Sequence, residues 1–418
     1  MRQSLVLLTK NYPYGRGEEF IENEMPVLAR EFDRVTVLAT QTEDEPCLTR
    51  ALPENAQALF IPASRVRDGL PAAAAKIFLL GDRKGRPDGR ERAAVGKSPK
   101  KRLYEAYFLA KSDAVARECS AQLRGCRFDA SGGTVFYSYW FHDTAMAALK
   151  LKREFGAEDG CAVSRAHRYD LYADKNPAGF LPMRFYLLER LNRVFPCSED
   201  GAVYLRKRYP KYTDKIETSY LGTEDFGEGP AAKDGVFRVV SCCHISPVKR
   251  VDLLARSLAL LAESGAKIVW THFGGGEGLA DLKAYAAEHL GFMECRFPGE
   301  VKNPELMEYY RNNPVDCFVN TSSSEGLPVS IMEACSFGIP TVATDVGGTS
   351  EIVRDGETGF LLGADFAPEE LAEKLSAFRG MSAERRQNFR DACRALWQRR
   401  FCAERNYARF AREIAELR

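Results

Sequence analysis

No run in this chain reaches the ~18 uncharged apolar residues that a membrane-spanning helix needs. The first apolar stretch, Leu5-Val6-Leu7-Leu8, is too short for a secretory leader and is followed by Lys10, so it reads as a strand in a protein expected in the cytosol. Cysteine is present but unpatterned. Twelve cysteines form no Cys-x-x-Cys pair, and Cys119, Cys161, Cys197, Cys242, Cys317 and Cys335 sit in apolar runs, which points to reduced core thiols and excludes a disulfide or zinc framework. No Asp-x-Asp pair offers a divalent-metal site. Gly274-x-Gly276 has Leu279 where a dinucleotide fingerprint needs glycine or alanine, which argues against an oxidoreductase. With a net charge of only +1, the chain has no general attraction to nucleic acid.

What is present is an ordinary globular composition, 45% hydrophobic and 28% charged, over 418 residues, too many for one core. The reading is two α/β domains. Ser4 to Leu8 is a strand, Asn11 to Ile21 turns into a helix reaching about Glu31, and Val35 to Ala39 is the next strand. Gly15 and Gly17 in that turn let backbone approach a ligand. Residues 61–128 form a block with sixteen Lys/Arg against seven Asp/Glu, densest from Arg83-Lys84-Gly85-Arg86 to Lys100-Lys101-Arg102 and flanked by apolar Ala72 to Leu80. It reads either as a patch for anionic phospholipid or a lipid-linked diphosphate, or as a solvated flexible insertion.

Two strands then end in histidine-bearing turns. Thr134 to Tyr139 leads to Trp140-Phe141-His142-Asp143, and Cys161 to Ser164 leads to Arg165-Ala166-His167-Arg168-Tyr169-Asp170. In open α/β sheets ligands bind beyond the carboxyl ends of strands, which makes His142 and His167 candidates, against the alternative of satisfied structural groups. The domain boundaries are placed at 1–222, a Gly/Pro/acid-rich linker at 223–234, a second domain at 235–396 and a tail with helical spacing at 397–418. The second domain opens with strand Phe237 to Ser241 and the turn His244-Ile245-Ser246-Pro247-Val248-Lys249-Arg250. Lys249 lies between a strand and a helix, where an ammonium can meet a phosphate that gains charge.

The most informative stretch runs from Ser322 to Gly348. Asp316 to Val319 reads as a buried strand, Pro328 marks a helix start, Gly338 and Pro340 its end, and Pro340 to Ala343 a further strand. Glu325 precedes this helix and Glu333 lies inside it, so their carboxylates stand about 8–12 Å apart with the helix N-terminus between. That spacing suits a nucleotide sugar, its diphosphate at the helix N-terminus and a glutamate for each sugar ring.

Glu325-Gly326-Leu327-Pro328, Glu333-Ala334, Gly338-Ile339-Pro340-Thr341-Val342-Ala343-Thr344-Asp345 and Gly347-Gly348, continuing to Gly359-Phe360, resemble the signature of family-4 retaining glycosyltransferases. The resemblance implies a GT-B fold: two Rossmann-like domains facing each other across a cleft, with a C-terminal helix crossing back to the first. It also implies an enzyme that moves a sugar from a nucleoside diphosphate sugar, UDP-sugar favoured, to a glycan or lipid-linked acceptor, with retention and no metal or other cofactor. Glu333 would hold the ribose, Glu325 with Gly326 and Leu327 the donor sugar, and Lys249 the diphosphate. Gly17 and the Val301 turn would lie against the donor, and His167 would meet its hexose. His142, Arg165 and Asp170 would lie on the acceptor side. His244 stands where the family usually has arginine, offering one or two donors in place of a fixed fork. The rival readings are a silent nucleotide-sugar-binding scaffold and a sugar-nucleotide epimerase. Peripheral contact with an anionic inner membrane face is the functional reading of the basic block.

Overall fold

The computed structural model describes residues 3–67, 69–80, 89–130, 133–155 and 160–417. They form two compact units: residues 3–221 with 404–417, and residues 222–403. Each is built on a six-stranded parallel sheet. In the first unit the strands are β1 (Ser4–Thr9), β2 (Arg34–Thr42), β3 (Ala56–Pro62), β4 (Thr134–Ser138), β5 (Cys161–Ala166) and β6 (Arg193–Pro196), ordered β3-β2-β1-β4-β5-β6. In the second they are β7 (Phe237–Cys242), β8 (Ile268–Phe273), β9 (Glu294–Gly299), β10 (Cys317–Asn320), β11 (Thr341–Thr344) and β12 (Gly359–Leu362), ordered β12-β11-β10-β7-β8-β9.

Such sheets are covered by helices on both faces, so their central strands are buried at successive positions rather than alternately. Every residue of β1, β4, β5, β8, β10 and β11 is buried. The strand order reverses between β1 and β4 in one unit and between β7 and β10 in the other. At such a reversal the connections leave in opposite directions, and a crevice opens beyond the strands' carboxyl ends.

The basic block is no loose insertion in its described part. It folds into helices Ala63–Arg67, Leu70–Leu80, Gly89–Val95 and Pro99–Gly125, and the last buries Phe108, Leu109, Val115, Cys119 and Leu123 in the first unit's core. Arg83-Lys84-Gly85-Arg86 lies outside the described residues. Among the described residues no helix is long and apolar enough to cross a membrane.

Residues 223–234, expected as a linker, pack within the second unit: Asp225 pairs with Arg394 at 2.5 Å and the Gly229 amide donates to the Phe337 carbonyl at 3.0 Å. The tail divides. Trp397 lies near the end of a helix of the second unit (Ala383–Arg400), donating to Thr223 at 2.7 Å, whereas the helix Ala403–Glu416 buries Tyr407, Phe410 and Ile414 and runs into the first.

Candidate functional site

In the second unit the loops leaving β7 and β10, on either side of the reversal, are tied together. The Ser323 amide donates to the Val248 carbonyl at 2.8 Å, and the Thr321 hydroxyl donates to the Lys249 carbonyl at 2.9 Å. Arg250, held at φ 47°, donates to the carbonyls of Thr321 and Ala364, both at 2.8 Å, so it is a structural clamp. That frame aims Lys249 at Glu325: the ammonium lies 2.7 Å from a carboxylate oxygen that also accepts from Asn320 at 3.3 Å. The Glu325-Gly326 backbone rests on Gly347 and Gly348. The Gly348 amide donates to the Gly326 carbonyl at 2.7 Å, and a Cβ on Gly347 would stand 2.2 Å from the Glu325 carbonyl oxygen. Leu327 is buried against the same turn.

Glu333 sits inside the helix Val329–Ser336, and its carboxylate accepts from the Asn303 amide at 2.6 Å. Burial pushes this carboxyl up to about 7, against the pull of Asn303. Val301 is half-buried in the turn after β9, two residues before Asn303. His244 is 64% exposed and 4.0 Å from Glu300. It lines a cavity of about 710 Å³ with Ser246, Asp252, Arg256, Glu277 and Tyr285. The structure thus brings Lys249 and Glu325 into contact and gives Glu333 a partner, Asn303, which the sequence reading did not single out.

The first unit places its candidates differently. His167 is packed between Tyr139 and Trp140, with ring centroids 4.7 and 4.6 Å away, and neither of its ring nitrogens has a hydrogen-bond partner among the described residues. Burial, with the charges of Arg165 and Lys10, pushes its imidazole down to about 3, so the ring is neutral at physiological pH. His142 bonds Tyr104 and Asp143, both at 3.0 Å, and burial lowers its pKa.

Two residues expected on the acceptor side are core groups. Arg165 is fully enclosed: it pairs with Glu24 at 3.3 Å, donates to Tyr137 at 2.8 Å and to the Ser219 carbonyl at 2.9 Å, and stacks on Phe410. All its donors point into the unit because a buried guanidinium must be paired. Asp170 is equally buried and accepts the Phe141 and His167 amides at 2.6 and 2.5 Å, bracing the two histidine turns against one another.

Gly17 adopts φ 89°, and its amide and carbonyl are taken by Glu19 and Arg50, each at 2.7 Å. The neighbouring Glu18, not anticipated from sequence, organises that turn. At φ 59° its carboxylate accepts the amides of Lys10, Asn11 and Tyr12 at 2.8–2.9 Å and the Trp140 indole at 2.5 Å. Lys10 lies over the rings of Trp140 and Tyr169 at 4.7 and 4.2 Å. An acid six to eight residues from the amides it serves, and next to a glycine, was the available signal.

Two Rossmann-like units, the second with a lysine and two glutamates beyond a strand-order reversal, share the fold of GT-B glycosyltransferases. Residues 224–395 match the family model described as glycosyl transferases group 1. A D-inositol 3-phosphate glycosyltransferase of Kribbella flavida is 36% identical over 210 residues, 46% of this chain and 49% of that protein. The putative colanic acid biosynthesis glycosyltransferase WcaL of Escherichia coli is 24% identical over 246 residues, 57% of this chain and 60% of that protein. The chain thus matches about half the length of the first of these relatives. A crystal structure of Anabaena HepE in complex with UDP shares the fold, with a TM-score of 0.64 at 14% identity over 100% of both chains.

Proposed function

We propose that the chain transfers a sugar, with retention of configuration, from a nucleoside diphosphate sugar to a hydroxyl of a glycan or lipid-linked acceptor in cell-surface polysaccharide synthesis. UDP-sugar is the favoured donor, as the UDP complex of HepE encourages. The observation that carries the reading is the Lys249–Glu325 contact at the β7/β10 reversal, inside the family-matched residues. Lys249 and the amides after Glu325 stabilise the departing diphosphate, and Glu325 orients the sugar without acting as a nucleophile. Glu333 accepts the ribose hydroxyls. The leaving phosphate takes the acceptor proton on the same face, so the chemistry calls for no metal. His142 and the neutral His167 stand at the strand ends of the first, acceptor-binding unit.

A thermal-shift screen with UDP-, GDP- and ADP-sugars tests the donor, because a ligand that binds only the folded protein raises its stability with the logarithm of concentration over Kd. One nucleotide should shift the melting, and Glu333→Ala should abolish the shift. Nucleoside diphosphate release that depends on acceptor then marks transfer. Tight binding with no release under any condition would leave a silent binder.

A further inference from the structure

We propose that a groove in the first unit, between the helices Leu70–Leu80 and Pro99–Gly125, holds the hydrocarbon chain of an anionic lipid whose head group presents the acceptor hydroxyl. This rests on the acceptor-lipid part of the proposed function and gives it a location. The groove encloses about 630 Å³, and its walls include Pro71, Ala74, Leu103, Tyr104 and Tyr107, with Lys100 as the charged member and no acidic residue among those that line it. Leu103 and Tyr107 are 51% and 41% exposed, and Leu79 on the facing helix is 77% exposed. Leu103 and Tyr107, one helical turn apart, thus leave apolar surface open to water along the groove itself.

Charge selects the lipid. Lys76, Lys100 and Arg102 stand exposed on the same two helices, so an apolar chain entering here carries its anionic end into a positive field. Geometry favours a single chain over a flat bilayer contact. The cavity is concave, and one of its walls, Tyr104, is also the residue that bonds His142 at 3.0 Å, just beyond the carboxyl end of β4. A chain in the groove therefore has its head group beside the histidine already placed on the acceptor side.

The test uses the full chain and calorimetric titration with geranylgeranyl diphosphate below its micellar concentration, inorganic diphosphate, and phosphatidylcholine vesicles containing phosphatidylglycerol. The expected result is saturable binding of the prenyl diphosphate, at least about tenfold tighter than inorganic diphosphate. Leu103→Asp and Tyr107→Asp should each weaken it by about tenfold, with melting temperatures unchanged because both side chains are already solvent-exposed. Equal affinity for inorganic diphosphate, or wild-type affinity in both variants, would overturn the proposal. So would vesicle binding sensitive to Leu103→Asp without binding of the prenyl diphosphate, which would make the patch a membrane face. UDP titrated into the same wild-type sample separates the two readings. Variant-sensitive prenyl binding without UDP binding sinks the donor assignment and leaves the groove. The converse sinks the groove and leaves the transferase.

Discussion

Glu333 is a carboxylate whose burial and whose assigned task pull in opposite directions. A ribose hydroxyl needs an ionised acceptor, yet burial has moved the group from 4.5 to about 7. Donor affinity should therefore rise as pH increases through about 7, and Glu333→Gln should flatten that dependence, measured by titration calorimetry between pH 6 and about 8.5. The stability sign is the reverse. A folded pKa above the unfolded one favours the folded protein when the group is protonated, and this contribution fades between about 4.5 and 7. Glu333→Gln should accordingly be more stable than wild type at pH 8, by ~1–3 kcal/mol in denaturant titrations. Lys249→Ala should lower turnover by about 10²-fold or more, the size of one lost charge-stabilising contact, with the melting temperature little changed because the side chain is partly exposed. A loss below about threefold would make Lys249 a surface cation. Arg165→Met leaves Glu24 charged and unpaired in the core and should cost about 3–5 kcal/mol, a folding defect and not a lost acceptor contact.

At the scale of elements, the turn that presents Glu325 depends on two glycines some twenty residues downstream. Gly347 has φ 57°, and a methyl group there would meet the Glu325 and Gly326 carbonyls. Gly347→Ala should thus displace the donor loop, lower the melting temperature and weaken donor binding by at least about tenfold, although residue 347 is not proposed to touch the donor. The same elements explain what was legible in the sequence. The alternation of apolar runs with helical spacing revealed the βαβ units, because a strand buried on both faces reads as a nearly continuous apolar run. Glu325, Glu333 and Lys249 were legible: Glu325 and Lys249 stand where a strand hands over to a helix, and Glu333 inside the helix Val329–Ser336, positions that the apolar runs and Pro328 mark in the sequence. Asn303 and Asn320 were not, since an amide announces itself only through the partner it reaches, and theirs are 30 and 5 residues away. Arg165 misled for the same reason. Next to a histidine at a strand end it reads as a site residue, and only Glu24, Ser219 and Phe410, brought in from far along the chain, turn it inward.

For the whole molecule, the telling feature is that one unit is continuous in sequence and the other is not. Deleting residues 404–418 removes the buried Tyr407, Phe410 and Ile414 from the first unit, each worth ~1.5–3 kcal/mol, and should unfold that unit while residues 222–403 keep a cooperative melting transition in calorimetry. This interruption also sets a timetable for biosynthesis. As the chain leaves the ribosome, the sheet made first waits for the helix Ala403–Glu416 until residues 222–403 have been synthesised, so the sheet made second is the first to have all its parts. Throughout that interval the apolar surface that Tyr407, Phe410 and Ile414 will cover is open to chaperones and to aggregation, and a chain that stops before residue 404 carries a finished second unit and an unfinished first.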